Sequence, residues 1–392
     1  MKIAHAEVTE KKKIRVALMS YAMDGRQAKG SALSTHRLVE RLVRNLDLEV
    51  TLVHFDKSDD PLYKEAREII MPQFKLPVAT RFFRTLAFFW KYRHEQFDII
   101  HWFQSRVYPF FWLAPARKII ITAHAGGDIT SPGKFPLSRR MFNFVLTHFS
   151  HKVDAIVGVS NFGRDEIIEA YGADPKRVYS LIHYNGGAEE FQPLDKHTAR
   201  KHMREKHGID GHYILDVSRL MPHKNVTTLV HAYIQLREKY PEHRELLVVA
   251  GSANYKANET YELARSSKYS DDIRFIDFVE QEDMNALYSG AEIFVFPSLS
   301  EGFGMPLIEA FASGTPVITS DLASMPEVSA GATILVDPKD ISAIAAAMHK
   351  LLTDEALRKD LVTRGLERCR VFTWDLAAKE VSDLYKHVMN MK

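Results

Sequence analysis

Cysteine is nearly absent: the 392-residue chain holds one, Cys369. A single thiol closes no intrachain disulfide, and no Cys/His cluster shows zinc-ligand spacing, so a reducing, cytosolic compartment is expected. Charge of one sign is equally scarce. The 52 Lys and Arg offset 50 Asp and Glu to a formal net charge of +2, which argues against a protein whose main task is coating nucleic acid. Long apolar runs are missing as well. Lys11 to Lys13 precede a short apolar stretch, but Asp24, Gly25 and Arg26 end it too soon for a signal peptide. Nothing approaches the roughly 18 to 20 apolar residues that a spanning helix requires. Repeats and low-complexity segments are also lacking. What remains is 46% hydrophobic, 11% aromatic and 26% charged, an ordinary globular composition whose length predicts two domains of about 190 residues.

Short apolar runs alternate with helical patterns throughout. The first series is Ile14 to Met19, Val50 to Phe55, Ile99 to Phe103, Ile119 to Ala123 and Ala155 to Val159. The second is Tyr213 to Val217, Leu246 to Ala250, Ile273 to Phe275, Ile293 to Phe296 and Val317 to Thr319. Continuous apolar strands followed by helices predict parallel sheets covered on both faces, hence two doubly wound domains. The break falls at Asn185 to Pro193, where a glycine pair and a proline interrupt the periodicity. His197, His202, His207 and His212 recur every fifth residue just beyond it. That step turns a helix by about 140°, so they are not expected to share a face or to bind a metal. Residues 81–97 predict an amphipathic helix, with Phe82, Phe83, Leu86, Phe89 and Trp90 among Arg81, Arg84, Lys91, Arg93 and His94. It suits a core-facing helix or docking on an anionic membrane surface.

Ligands of open α/β sheets bind in strand-to-helix loops at the carboxyl ends of strands. The loop Asp24 to Ser34 bears glycines, yet Ser31 and Ala32 follow Gly30 where a Walker A loop needs Lys and Ser or Thr, and no GxGxxG occurs. The stronger signal is FVFPS (294–298) followed by SEGFGMPLIEA (300–310). Gly302 and Gly304 permit close backbone approach, and a helix opening near Pro306 presents free N–H groups and a positive dipole end suited to phosphate. Glu301 and Glu309 flank that spot and suit neutral sugar or ribose hydroxyls. Glu309 also fits a plain favourable charge near a helix start. In SRLMPHKN (218–225), Arg219 and Lys224 stand at the same sheet edge, where two fixed cations would neutralise a diphosphate. Cations beside hydroxyl-binding carboxylates describe a nucleotide-diphosphate sugar.

Arg219 and Lys224 in SRLMPHKN, then EGFGMPLIEA with glutamates eight apart, resemble retaining glycosyltransferases of family 4. The resemblance runs over roughly residues 14–375. It implies an α/β fold of GT-B architecture, two facing Rossmann-like domains with a cleft between them. It implies a polar tail over 1–13, an acceptor-side domain over 14–190, a donor domain over 191–372 and a terminal helix over 373–392 that crosses back. Arg219 and Lys224 are then expected at the donor diphosphate and Glu309 at the ribose. Glu301 is expected near the reacting carbon, with Gly302, Phe303 and Gly304 lining the sugar pocket and the amides of Met305 to Leu307 facing phosphate. Val279 matches the stretch beside the nucleobase, and His124 the histidine near sugar and acceptor. Gly30 matches the second glycine of a pair whose first position holds Lys29, a departure from the family pattern.

The implied activity is transfer of mannose, glucose or an N-acetylhexosamine from a nucleotide sugar to a glycan or lipid-linked hydroxyl, in cell-surface polysaccharide or glycolipid synthesis. No obligatory metal, cofactor or nucleic acid is expected, and a cytoplasmic location fits, with peripheral membrane contact through 81–97. The alternatives are a hydrolysing nucleotide-sugar epimerase, a phosphorylase, or a non-catalytic partner of a glycan assembly complex.

Overall fold

The computed structural model describes residues 12–20, 31–73, 80–105, 107–124, 137–252 and 258–391. The first unit runs β1 (Ile14–Met19), α1 (Ser31–Val43), β2 (Leu48–His54), β3 (Arg67–Ile70), α2 (Thr80–Lys91), β4 (Phe97–Trp102), β5 (Ala116–Ala123), α3 (Leu137–Phe149), β6 (Ala155–Gly158), α4 (Asn161–Tyr171) and β7 (Val178–Ser180). The second begins with α5 (Lys196–His207), β8 (Tyr213–Val217), α6 (Val226–Lys239), β9 (Leu246–Ala250), α7 (Asn258–Ser266), β10 (Ile273–Ile276) and α8 (Gln281–Gly290). It continues with β11 (Ile293–Phe296), α9 (Met305–Ala312), β12 (Val317–Ser320), α10 (Met325–Ser329), β13 (Thr333–Val336), α11 (Ile341–Thr353) and α12 (Glu355–Cys369), and α13 (Trp374–Asn390) ends the chain.

Both sheets are parallel, ordered β3-β2-β1-β4-β5-β6-β7 and β10-β9-β8-β11-β12-β13. Each reverses direction beside its first strand, between β1 and β4 and between β8 and β11, which creates the crevice where α/β sheets take ligands. Alternate residues of each strand feed opposite layers. Val16 and Leu18 of β1 face one core while Ala17 and Met19 face another. Leu215 of β8 joins the first core and Ile214 a third. The first core spans both units, because α13 returns to pack on α1. Tyr385 of α13 meets buried His101 of β4 at 2.7 Å, and Glu380 meets His183 at 2.6 Å. Burial lowers the His101 imidazole to about 3, so it stays neutral.

Two local expectations change. Arg84 does not face outward with the other cations of α2. It is buried and donates to the carbonyls of Phe55, Met71 and Pro72 and to Asp56. Phe88 and Phe89 enter the core, while Phe83 and Trp90 stay 44% and 70% exposed. The spaced histidines also behave differently. His202 and His207 both reach the carboxylate of Asp283, at 2.8 and 3.0 Å, because His207 ends α5 and can turn back. Burial would raise the Asp283 carboxyl, but Lys206, His202 and His207 hold it well below its usual range. These histidines brace α5 against α8.

Candidate functional site

The two loops at the β8/β11 reversal carry the candidate cations and one carboxylate. After β8 the chain makes a tight turn over Pro222–Lys224 and passes Asn225, which takes a left-handed φ of 60°. Asn225 holds that conformation by donating from Nδ2 to the carbonyls of Pro297 and Pro338, at 3.1 and 2.7 Å. This fastens the cation loop to the end of β11. Ser298 tightens it further, donating to the carbonyl of His223 at 2.9 Å. The result brings Lys224 Nζ to 2.5 Å from Glu301 Oε1, over the ring of Phe296. Arg219 stands exposed at the mouth of the same loop.

Beneath this pair lies a carboxyl group that sequence reasoning missed. Asp216 of β8 is fully buried and accepts from Ser218 Oγ at 2.9 Å, while its Oδ2 has no partner among the described residues. Burial pushes its carboxyl up to about 7, against the opposing pull of Ser218 and Lys224. The site thus holds one carboxyl of raised pKa under a half-buried ion pair.

Gly304 precedes α9 with φ of 93°, and a Cβ there would stand 2.5 Å from Met325 Cε. A side chain at 304 therefore meets backbone strain, and the end of Met325 must shift to admit it. Pro306 brings no N–H, and the Leu307 amide already donates to the Gly304 carbonyl at 3.0 Å. A phosphate at this helix start has the amides of Gly304 and Met305 to draw on. The side chains of Phe303 and Leu307 lie in the core, Phe303 edge-on to Phe372, so what these two residues can offer a ligand is their backbone. Val279 is buried in the same core layer.

Glu309 faces the cleft. It shares a cavity of about 90 Å³ with Leu33 and Ser34 of α1, Glu190 and Phe191 of the connecting segment, Gln281, Met305 and Trp374. Tyr288 donates to Glu309 Oε2 at 2.7 Å. Burial raises the Glu309 carboxyl and Glu190 adds to the rise, while Tyr288 opposes it. The Tyr288 hydroxyl orients one carboxylate oxygen and leaves the other for a ligand.

The first unit meets this loop through the start of α4. Ser160 caps α4, accepting from the Gly163 amide at 2.9 Å, and donates to the Gly302 carbonyl at 2.6 Å. Glu327 of α10 accepts from the Asn161 amide at 2.9 and 3.0 Å and from its side chain at 2.7 Å. That places a carboxylate at a helix start, where it is favoured. A Cβ on Gly163 would lie 3.8 Å from the Gly302 oxygen and 4.0 Å from that of His124. His124 therefore borders the same junction. Its Nε2 lies 3.2 Å from the Phe103 carbonyl, and burial lowers its pKa, so the ring is a neutral hydrogen-bonding group. Gly30 and Lys29 lie outside the described residues.

Ser160, Tyr288 and Glu327 were also missed, since each lies outside the two motifs. Only Ser160 carried a usable signal, as a serine between an apolar strand and a helix.

Known proteins resemble this chain in sequence and in fold. A family model described as glycosyl transferases group 1 matches residues 199–368, and one described as Glycosyltransferase Family 4 matches residues 28–181. O-antigen chain mannosyltransferase B of Escherichia coli is 28% identical over 285 residues, covering 71% of this chain and 73% of that protein. The serotype-specific mannosyltransferase WbdA of Escherichia coli is 31% identical over 251 residues, 61% of this chain. That match spans only 29% of WbdA's length. Among solved structures, HepE of Anabaena in complex with UDP-glucose shares the fold, with a TM-score of 0.74 at 14% identity over 95% of this chain and 100% of that one. The chain belongs to the family 4 glycosyltransferases and has their GT-B architecture of two facing Rossmann-like domains.

Proposed function

We propose that the protein is a retaining hexosyltransferase that moves a sugar, mannose in the first instance, from a nucleotide diphosphate to a hydroxyl of a glycan or lipid-linked acceptor. The observation that carries this reading is the juxtaposition of Lys224 and Glu301 at the sheet reversal, with Arg219 and the start of α9 beside them. Mannose is preferred because two relatives bear the name mannosyltransferase.

In this reading Arg219 and Lys224 stabilise the diphosphate as it leaves, with no step requiring a metal. Glu309, aligned by Tyr288, takes ribose hydroxyls, and Glu301 takes hydroxyls of the sugar. The acceptor oxygen bonds to the anomeric carbon on the face from which the diphosphate departs. The carbon–oxygen bond to phosphate breaks with its electron pair, and a phosphate oxygen receives the acceptor proton. The neutral ring of His124 orients the sugar from the opposite domain. Closure of the cleft, held by Ser160 and Glu327, keeps water from competing as acceptor.

In this reading the acceptor lies at a membrane surface, on the cytoplasmic side, and exposed side chains support it. Phe83, Trp90, Phe110, Leu113 and Phe144 are exposed on the first domain, and Arg81, Lys91 and Arg93 are exposed beside the first two. No helix among the described residues is long and apolar enough to cross a membrane.

The test is incubation with GDP-mannose, UDP-glucose or UDP-N-acetylglucosamine and a lipid-linked glycan fraction, with the product's anomeric configuration read by NMR. Transfer with retention supports the proposal. Conversion of the nucleotide sugar without acceptor indicates an epimerase, and dependence on free phosphate a phosphorylase; either outcome overturns it.

A further inference from the structure

The outer face of the second domain carries a cluster that glycosyl transfer does not use. The turn after α6 and the middle of α11 bring together Glu242, His243 and His349, with one ligand atom from each within 4.8 Å of the others. His243 Nε2 faces His349 Nδ1 at 3.0 Å, the two rings set at 78°. Both rings are fixed from behind. Glu245 Oε2 lies 3.3 Å from Nδ1 of His243, and Tyr240 stacks on His349 at 3.6 Å with ring planes 5° apart.

The charge of Glu245 near Nδ1 favours the imidazole proton on that side and leaves the Nε2 lone pair directed at His349. Two ring nitrogens so placed share either one proton or one metal ion. Tetrahedral nitrogen ligands at about 2.0 to 2.1 Å from a zinc ion lie only about 3.3 Å apart, close to the separation found. The third group decides between these. A proton between two neutral rings needs no anion, whereas a divalent cation does, and Glu242 brings a carboxylate to the same point.

We propose that Glu242, His243 and His349 form a Zn²⁺ site, with Glu245 as the outer carboxylate that orients His243. Three protein ligands leave one position for water. Bound metal would tie the turn after α6 to α11, two helices that already pack on each other. None of these residues lines the cleft cavity, so the site is a brace, separate from transfer chemistry.

The experiment uses tag-free, EDTA-stripped full-length protein titrated with Co²⁺, read by its visible ligand-field absorption, and with Zn²⁺ in competition. One saturable equivalent with the intensity of a four-coordinate site is expected. His349→Ala, at a partly exposed position, should abolish the signal in a protein that still folds in EDTA, its melt lowered only by the lost ring contacts with Tyr240 and His243. Glu245→Gln should weaken binding about tenfold or more through lost orientation. Absence of saturable uptake, or uptake that survives both His243→Gln and His349→Ala, overturns the proposal.

Discussion

Lys224 and Glu301 meet at 2.5 Å across two loops that follow different strands, β8 and β11. The cation assigned to the diphosphate and the carboxylate assigned to the sugar are therefore each other's partners in the free protein. Each holds the other in place before a donor arrives. In the proposed reading a diphosphate would compete for Lys224 and free Glu301 for hydroxyls, which would couple the two roles. Lys224→Ala should lower kcat about 10²- to 10³-fold, the usual loss for one leaving-group donor. Glu301→Gln should also slow transfer, and the double variant should be less impaired than the product of the two. Strict additivity in steady-state kinetics would contradict the coupling.

Asp216 gives a pH signature. Its carboxyl titrates near 7 in the fold and near 3.8 when unfolded. The unfolded chain loses that proton first, so stability falls as pH rises from about 4 to about 7 and levels off above. Asp216→Asn removes the penalty. It should stabilise the protein more at pH 8 than at pH 5, by at most about 3 kcal/mol for the two pH units between 5 and 7, taking about 1.4 kcal/mol per pH unit. Thermal melts at both values check this, and an equal gain at both would count against it.

Ser160 and Glu327 join the domains at the start of α4. Ser160→Ala should cost about 1 kcal/mol as a lost helix cap, beyond the lost bond to Gly302. Combined with Glu327→Ala, it should open the cleft and raise the donor KM. Small-angle scattering would register a larger radius of gyration; an unchanged radius would refute the clasp.

The cationic side of α2 tests membrane docking. Arg81, Lys91 and Arg93, replaced together by Glu, should abolish sedimentation with vesicles containing anionic lipid, each original charge contributing about 1 kcal/mol near such a surface. Arg84 is excluded from the set because its guanidinium is buried among carbonyls. Binding that survives the triple replacement would remove the idea.

The doubly wound fold was legible because its central strands are mostly apolar, and Tyr213–Val217 and Ile293–Phe296 fall where the pattern put them. The edge strands β3, β7 and β13 escaped notice. They are three or four residues long and partly solvated, so their sequences carry little apolar signal. In the site, the motifs placed Arg219, Lys224, Glu301 and Glu309 at one sheet edge. Periodicity could not show that Phe303 and Leu307 point into the core, since both sit in a glycine-interrupted stretch. Nor could it show Asp216 or Tyr288, which look like ordinary members of a strand and a helix until the fold brings them under the loops.

The most direct test is a calorimetric titration of the folded protein with GDP, UDP and ADP, repeated with Lys224→Ala and Glu309→Ala. The account predicts that one nucleotide binds the native protein clearly, raises its melting temperature through linkage and is lost in both variants. A folded protein that binds none of the three, or variants that bind as well as the native chain, would contradict it.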